Sequence, residues 1–364
     1  MKAEEMWQAS TGKGVTVAVI DNKVDDSIPE LRGQVLKGKD FTKTQDSSVR
    51  SNSHGTQMAA LIAGSGRSGG IQGVAPGAKI LPLKDGGFDH TEIDDPTDKW
   101  VKAIRYAIKK DARIINMSVG AVGLLDGSAE KMQAAVDEAN AKGVLILAGM
   151  GNDGDIGGEA AYPARLRGVV AVSAVDKTGT VTKFSTNGAQ VALAAPGAEI
   201  PERCSTDGGW CQGKGTSQAT AIASGSAALI WSAHPHWTAN QVLRVMMQTA
   251  SKPEGKVPSR YIGYGIIRPG QVLLDGKGDP GPADVNPLFP DYHPGQNSST
   301  SPSSPSQTDA PSEASDTQDK AAGTSTSGDD DGEGSTLLYV GVGIAAVLAL
   351  GGGVFALARQ RRGT

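Results

Sequence analysis

Unbroken apolar runs and amphipathic stretches alternate along the first 275 residues. Val15 to Ile20, Ile114 to Val119, Val144 to Ala148 and Val169 to Val175 are short, rich in β-branched residues and apolar at almost every position. Strands with that pattern are covered on both faces, the setting of a parallel sheet. A further strand is expected over Lys79-Ile80-Leu81-Pro82-Leu83. Between these runs, Asp98 to Lys110 places Trp100, Val101, Ile104, Ala107 and Ile108 at spacings of three and four, the period of an amphipathic helix. Met132 to Lys142 reads as a second helix. The alternation predicts an α/β domain with a central, mostly parallel sheet and helices on both faces. Residues 38–53 are polar and read as loop.

Later in the chain, Ile222 to Ile230 is small and apolar, so a buried helix is expected to run to about Ala233 and to stop at His234-Pro235. Thr238 is expected to cap a last amphipathic helix, Ala239 to Thr249. From about Gly276 the composition changes. Residues 276–336 are dominated by Pro, Ser, Thr, Asp and Gly and read as a disordered linker, because they hold too little apolar surface to offset the entropy of ordering. Leu337 to Ala358 is uncharged and apolar. Roughly 22 residues at 1.5 Å each span about 33 Å, close to the hydrocarbon thickness of about 30 Å, so a transmembrane helix is expected. Arg359, Arg361 and Arg362 in the tail 359–364 put the C-terminus in the cytoplasm and the large domain outside. Met1 to Gly14 carries no signal-peptide pattern, so the natural start is expected to lie upstream.

A net charge of −4 without a basic face gives no reason to expect a nucleic-acid partner. Cys204 and Cys211 are the two cysteines, in a turn-rich loop. They fit a small disulfide, a pair of reduced thiols or half of a metal site; no His or second Cys pair nearby completes a metal site, and outside the cytoplasm the disulfide is favoured. His234 and His236 flank a proline without an acidic partner and read as a surface turn rather than as metal ligands.

The candidate chemistry starts at Gly213-Lys214-Gly215-Thr216-Ser217, which opens the buried helix. A lone serine there would read as a helix cap. At a helix start, however, a hydroxyl meets unpaired N–H groups and the positive end of the dipole, which suit a nucleophile that must hold an oxyanion. A serine nucleophile needs a base and a group to orient it. His54 sits in a matching small-residue turn before an apolar helix, and Asp21 ends the first buried strand, where ligands of parallel sheets bind.

The order Asp21, His54, Ser217, with Val-Ile-Asp, His-Gly-Thr and Gly-Thr-Ser, closely resembles the subtilisin-like serine proteases over residues 1–275. The resemblance implies a subtilisin-like three-layer peptidase domain that hydrolyses peptide bonds through an acyl-enzyme, with Asp21, His54 and Ser217 catalytic and no cofactor or metal required. It makes Asn152, in the loop after Val144 to Gly149, an oxyanion-hole donor. It makes Ser118, Val119 and Gly120 the extended segment that pairs with substrate backbone, and it reads Ala194-Ala195-Pro196-Gly197 as a turn. Three positions depart from the family pattern: Asn22-Lys23 stands where Thr-Gly is usual, and Gln57 where many members carry a second histidine. The architecture of protease, linker, span and basic tail is similar to the mycosins, membrane-anchored proteases of type VII secretion systems. That implies a polypeptide substrate, a lipid bilayer around the C-terminal helix and a type VII membrane complex as partners. The rival expectations are a non-catalytic structural subunit of a secretion complex and a broad-specificity surface protease with no fixed partner.

Overall fold

The computed structural model describes residues 2–42, 53–86, 95–203 and 209–294. The expected span at 337–358, the tail at 359–364 and Cys204 lie outside the described residues. The elements, in chain order, are α1 (Ala3–Ala9), β1 (Thr16–Asp21), β2 (Lys39–Asp40), α2 (His54–Ala63), β3 (Lys79–Lys84), α3 (Thr97–Lys109), β4 (Ile114–Met117), α4 (Ser128–Ala141) and β5 (Leu145–Gly149). They continue with β6 (Val169–Val175), β7 (Val191–Pro196), β8 (Ile200–Arg203), β9 (Trp210–Gly213), α5 (Thr216–Ala233), α6 (Ala239–Thr249) and α7 (Pro269–Leu273).

Seven strands form one sheet in the order β2-β3-β1-β4-β5-β6-β7. Every pairing in it is parallel. The two-residue side-chain period divides each strand between two cores. Val17, Val19, Ile114, Leu145 and Leu147 face α2, α5 and α6, whereas Ala18, Ile20, Ile115, Ile146 and Ala148 face α3 and α4. The sheet is therefore sandwiched between helical layers, as the continuous apolar runs require.

Nearly every side chain of α5 is buried. Its small residues allow close approach: a Cβ on Gly225 would lie 2.8 Å from Val74 Cβ. Polar groups register the helix against the sheet. Ser224 Oγ donates to Asn116 Oδ1 at 3.0 Å, Asn116 Nδ2 donates to Ser118 Oγ at 3.0 Å, and Ser118 Oγ donates to the Ser217 carbonyl at 3.0 Å. The cap expected at Thr238 is a full capping box with Gln241.

Three expectations are corrected. Residues 39–40, placed in a polar loop, form β2, whose exposed side chains carry no apolar signal because it joins β3 through its backbone and an Asp40–Lys84 ion pair. The stretch read as a turn at Ala194 to Gly197 overlaps β7, which pairs with β6 through Pro196; proline is tolerated there because it ends a strand at the sheet edge. Residues 276–294 are not free linker. Arg244 donates to the carbonyls of Pro280, Pro282 and Val285, Thr238 and Asn240 donate to Ala283, and Gln241 donates to Gly281. Tyr292 donates to Asp137, and Arg167 lies over the rings of Phe289 and Tyr292. This strap is held by polar side chains gripping its backbone, so an argument from apolar content does not detect it.

Candidate active site

The sheet gathers the predicted residues at the carboxyl ends of its central strands. Asp21 is the last residue of β1, Ser118 directly follows β4, and Asn152 lies three residues beyond the end of β5. His54 opens α2 and Ser217 is the second residue of α5, both on the same side of the sheet. Gly149, at the end of β5, admits the start of α5: a Cβ there would lie 2.9 Å from Thr216 Oγ1.

Asp21 is 1% exposed, and its carboxylate receives His54 Nδ1 at 2.8 Å and 2.9 Å from its two oxygens. The Asn22 N–H also donates to Asp21 Oδ1 at 2.8 Å. The departure at Asn22-Lys23 has a local function. Asn22 Oδ1 accepts the Gly55 N–H at 2.7 Å, and the Lys23 carbonyl accepts from Ser53 Oγ, so this turn caps α2 and fixes His54 over Asp21. With Nδ1 committed to the carboxylate, His54 Nε2 is the nitrogen left for proton transfer. Burial pulls the His54 pKa down, but the charge and hydrogen bond of Asp21, with smaller contributions from Glu202 and Asp85, outweigh it and raise the value.

Ser217 Oγ donates to the Ser118 carbonyl at 3.1 Å, and no hydrogen bond joins it to His54 among the described residues. Its N–H, at the start of α5, has no partner among the described residues. Asn152 Oδ1 accepts both the N–H and the hydroxyl of Thr216, at 2.8 Å and 3.1 Å. Two donors on Thr216 define that atom as the oxygen, leaving Nδ2 as a free donor. Ser217 and Asn152 line one cavity of about 250 Å³ together with Ser118, Val119, Gly120 and Ala161. The structure thus gathers the predicted residues, the cysteines apart, into two groups on the carboxyl side of the sheet: the Asp21–His54 pair, and Ser217, Asn152, Ser118, Val119 and Gly120 around the cavity. An oriented imidazole, a hydroxyl and two free donors around a cavity can support attack on a carbonyl and hold the resulting oxyanion. Among the described residues, no three His, Cys, Asp or Glu side chains gather into a set able to hold a metal. His234 stacks on Trp237 at 3.8 Å between ring centroids, within the turn that ends α5.

Sequence reasoning overlooked the side chains that tie α2 and α5 to the β8–β9 hairpin. Gln57, one of the departures, donates to the Arg203 carbonyl at 3.2 Å, and Gln218 donates to Glu202 Oε2 at 3.1 Å. The β8–β9 hairpin therefore ties together the two helices that carry His54 and Ser217. Adjacency to Ser217 was the only sequence signal for Gln218, and Glu202 had none. Cys211, on β9 opposite Glu202, is likewise on this hairpin.

Comparison with known proteins agrees with this geometry. The family model described as Subtilase family, Peptidase_S8, matches residues 12–265. A thermostable alkaline protease of Halalkalibacterium halodurans is 34% identical over 265 residues, 72% of this chain and 68% of the relative. Subtilisin E of Bacillus subtilis is 36% identical over 266 residues, 71% of this chain and 66% of its own length. The chain thus spans about two thirds of the length of these relatives. Among solved structures, the MycP3 protease from the type VII (ESX-3) secretion system is similar with a TM-score of 0.64 and 29% identity, over 75% of this chain and 86% of the other. MycP1 from Mycobacterium smegmatis is similar with a TM-score of 0.64 and 25% identity, over 78% and 84%. Sequence, fold and site converge: the chain belongs to the Subtilase family, the subtilisin-like serine endopeptidases.

Proposed function

We propose that this chain is a membrane-anchored serine endopeptidase acting on exported polypeptides beside a type VII secretion complex. The observation that carries the catalytic reading is the pairing of His54 Nδ1 with buried Asp21, together with the cavity that Ser217 and Asn152 share. Ser217 Oγ turns from the Ser118 carbonyl and attacks the substrate carbonyl carbon, passing its proton to His54 Nε2. Asp21 stabilises the imidazolium, and the Ser217 N–H and Asn152 Nδ2 receive the oxyanion. His54 then gives its proton to the leaving amine, the C–N bond breaks, and water repeats the sequence on the acyl-enzyme. Val119 and Gly120 line the cavity with backbone groups that have no partner among the described residues, as pairing with an extended substrate requires.

The secretion setting is supported by the likeness to MycP3 and MycP1, whose own description is of type VII secretion proteases. The anchor is supported by the apolar run at 337–358 and the arginines behind it. Among the described residues no helix is long and apolar enough to cross a membrane. A Cys204 to Cys211 disulfide belongs to the same reading, since the protease domain would face an oxidising compartment.

A fluorophosphonate probe tests the catalytic reading on the full chain. Wild type is expected to label, and Ser217→Ala and His54→Ala to remain unlabelled; a folded wild-type chain that fails to label refutes it. Recovery of the chain in membranes, and its release on deleting 337–358, tests the anchor.

A further inference from the structure

The carboxylate of Glu202 is not used by the chemistry above, yet it is built into the site. It sits on β8 over Gly213 of β9, where an added Cβ would lie 2.2 Å from either carboxylate oxygen, so the missing side chain makes its seat. Gln218, the residue after Ser217, donates to Oε2 at 3.1 Å, and the carboxylate acts on the charge of His54. No Lys or Arg pairs with it among the described residues; the cation it faces is His54 when protonated, whose charge it supports. The cations nearest in sequence are engaged elsewhere: Arg203 pairs with Glu30 at 2.8 Å through both Nε and Nη2, and Lys214 lies over the Phe184 ring. A half-buried carboxylate held by one neutral amide retains the capacity to accept a cation.

The position of Glu202 determines which half of a substrate it would meet. Ser118 to Val122, Asn152 and Ala161 line the cavity on one side of Ser217, and Glu202 is not among its walls. Glu202 belongs instead to the side of His54, through the hairpin that Gln57 and Gln218 tie down. His54 must reach the leaving nitrogen to protonate it, so the leaving half of the peptide lies on that side.

We infer that Glu202 is a specificity-determining residue that selects a basic side chain in the first or second residue after the scissile bond. This rests on the endopeptidase reading. Opposite charges at contact distance near a protein surface are worth enough to discriminate by at least about tenfold.

The test uses the full chain and three peptide mixtures, randomised before the scissile bond and carrying Lys, Gln or Glu at the two following positions. Wild type is expected to cleave the Lys mixture with a kcat/KM at least about tenfold above the Glu mixture. Glu202→Gln should bring that ratio near one, and Glu202→Lys should invert it. A purely structural role would lower all three mixtures in parallel and leave the ratio intact, which would overturn the assignment. So would wild type that labels with fluorophosphonate but shows no basic preference or cleaves none of the mixtures. Wild type that neither labels nor cleaves removes the endopeptidase reading and this inference together.

Discussion

Ser118 and Ser217 exchange hydrogen bonds: the Ser118 hydroxyl donates to the Ser217 carbonyl at 3.0 Å, and the Ser217 hydroxyl donates to the Ser118 carbonyl at 3.1 Å. The first bond belongs to the buried relay through Asn116 and Ser224, which fixes the start of α5 on β4. The second must break before Ser217 can attack. Ser118→Ala removes the acceptor of the buried Asn116 amide and the donor to the Ser217 carbonyl, while the bond from the Ser217 hydroxyl to the Ser118 carbonyl remains. It should cost about 1–3 kcal/mol in denaturant unfolding and lower kcat more than it raises KM. An unchanged kcat would mean that the relay serves folding alone.

Asn152 joins two functions that a pair of variants can separate. Asn152→Ala deletes the acceptor for Thr216, at about 1 kcal/mol of stability, and the donor for the oxyanion, at about 10²–10³ in kcat. Asn152→Asp keeps the acceptor and loses the donor, so it should retain most of the stability while losing at least as much kcat. Thermal melts beside steady-state kinetics give both readings.

Hydrolysis needs neutral His54, and the environment that Asp21 dominates among the raising influences lifts the His54 pKa above its ordinary 6.5. The acid limb of kcat/KM should therefore have its midpoint above that value. Asp21→Asn should move the limb down and reduce kcat by about 10⁴. The stability linkage runs oppositely. A raised folded pKa stabilises the fold below the unfolded value, and that contribution fades as pH rises through the folded one.

Glu30 is fully buried and forms a two-point ion pair with Arg203 on β8. Burial alone would raise its pKa, but the Arg203 hydrogen bonds and charge, with the Ile71 N–H, bring it below the ordinary 4.5. Arg203→Met strands that carboxylate and should cost about 3–5 kcal/mol. In wild type the contribution is present above the unfolded value and is lost as pH falls through the folded one. Chemical denaturation at several pH values should show Arg203→Met losing this acid dependence.

Arg244 holds three carbonyls of the strap at once. Arg244→Ala should release residues 279–286 to limited proteolysis while labelling at Ser217 persists. Cutting at equal rates in both proteins would show that the remaining contacts suffice.

Much of this was legible because strand interiors and amphipathic helices write their burial into the sequence. Val169 to Val175 was read residue for residue, and so were Ala239 to Thr249 with the Thr238 cap. The three motif residues were legible because each lies at a strand end or helix start, where side chains are presented by the backbone itself. What escaped depends on tertiary partners. β2 has no buried side chain, β7 ends in an alanine-proline stretch that also reads as a turn, and the strap is gripped by the polar side chains of α6. Asn22 and Gln57 looked like departures from a pattern; each proves to be a contact that only the folded chain creates.

The last described residues anchor near Gly168, where an added Cβ would lie 2.9 Å from the Tyr292 hydroxyl. Gly168 precedes β6, at the amino ends of the parallel strands, whereas Asp21, Ser118 and Asn152 gather at the carboxyl ends. The five residues of β5 separate those poles by about 17 Å. The last described residues therefore lie at the pole remote from Ser217. By ending there, the strap keeps the peptide bonds of its own last described residues out of reach of the Ser217 of the same molecule.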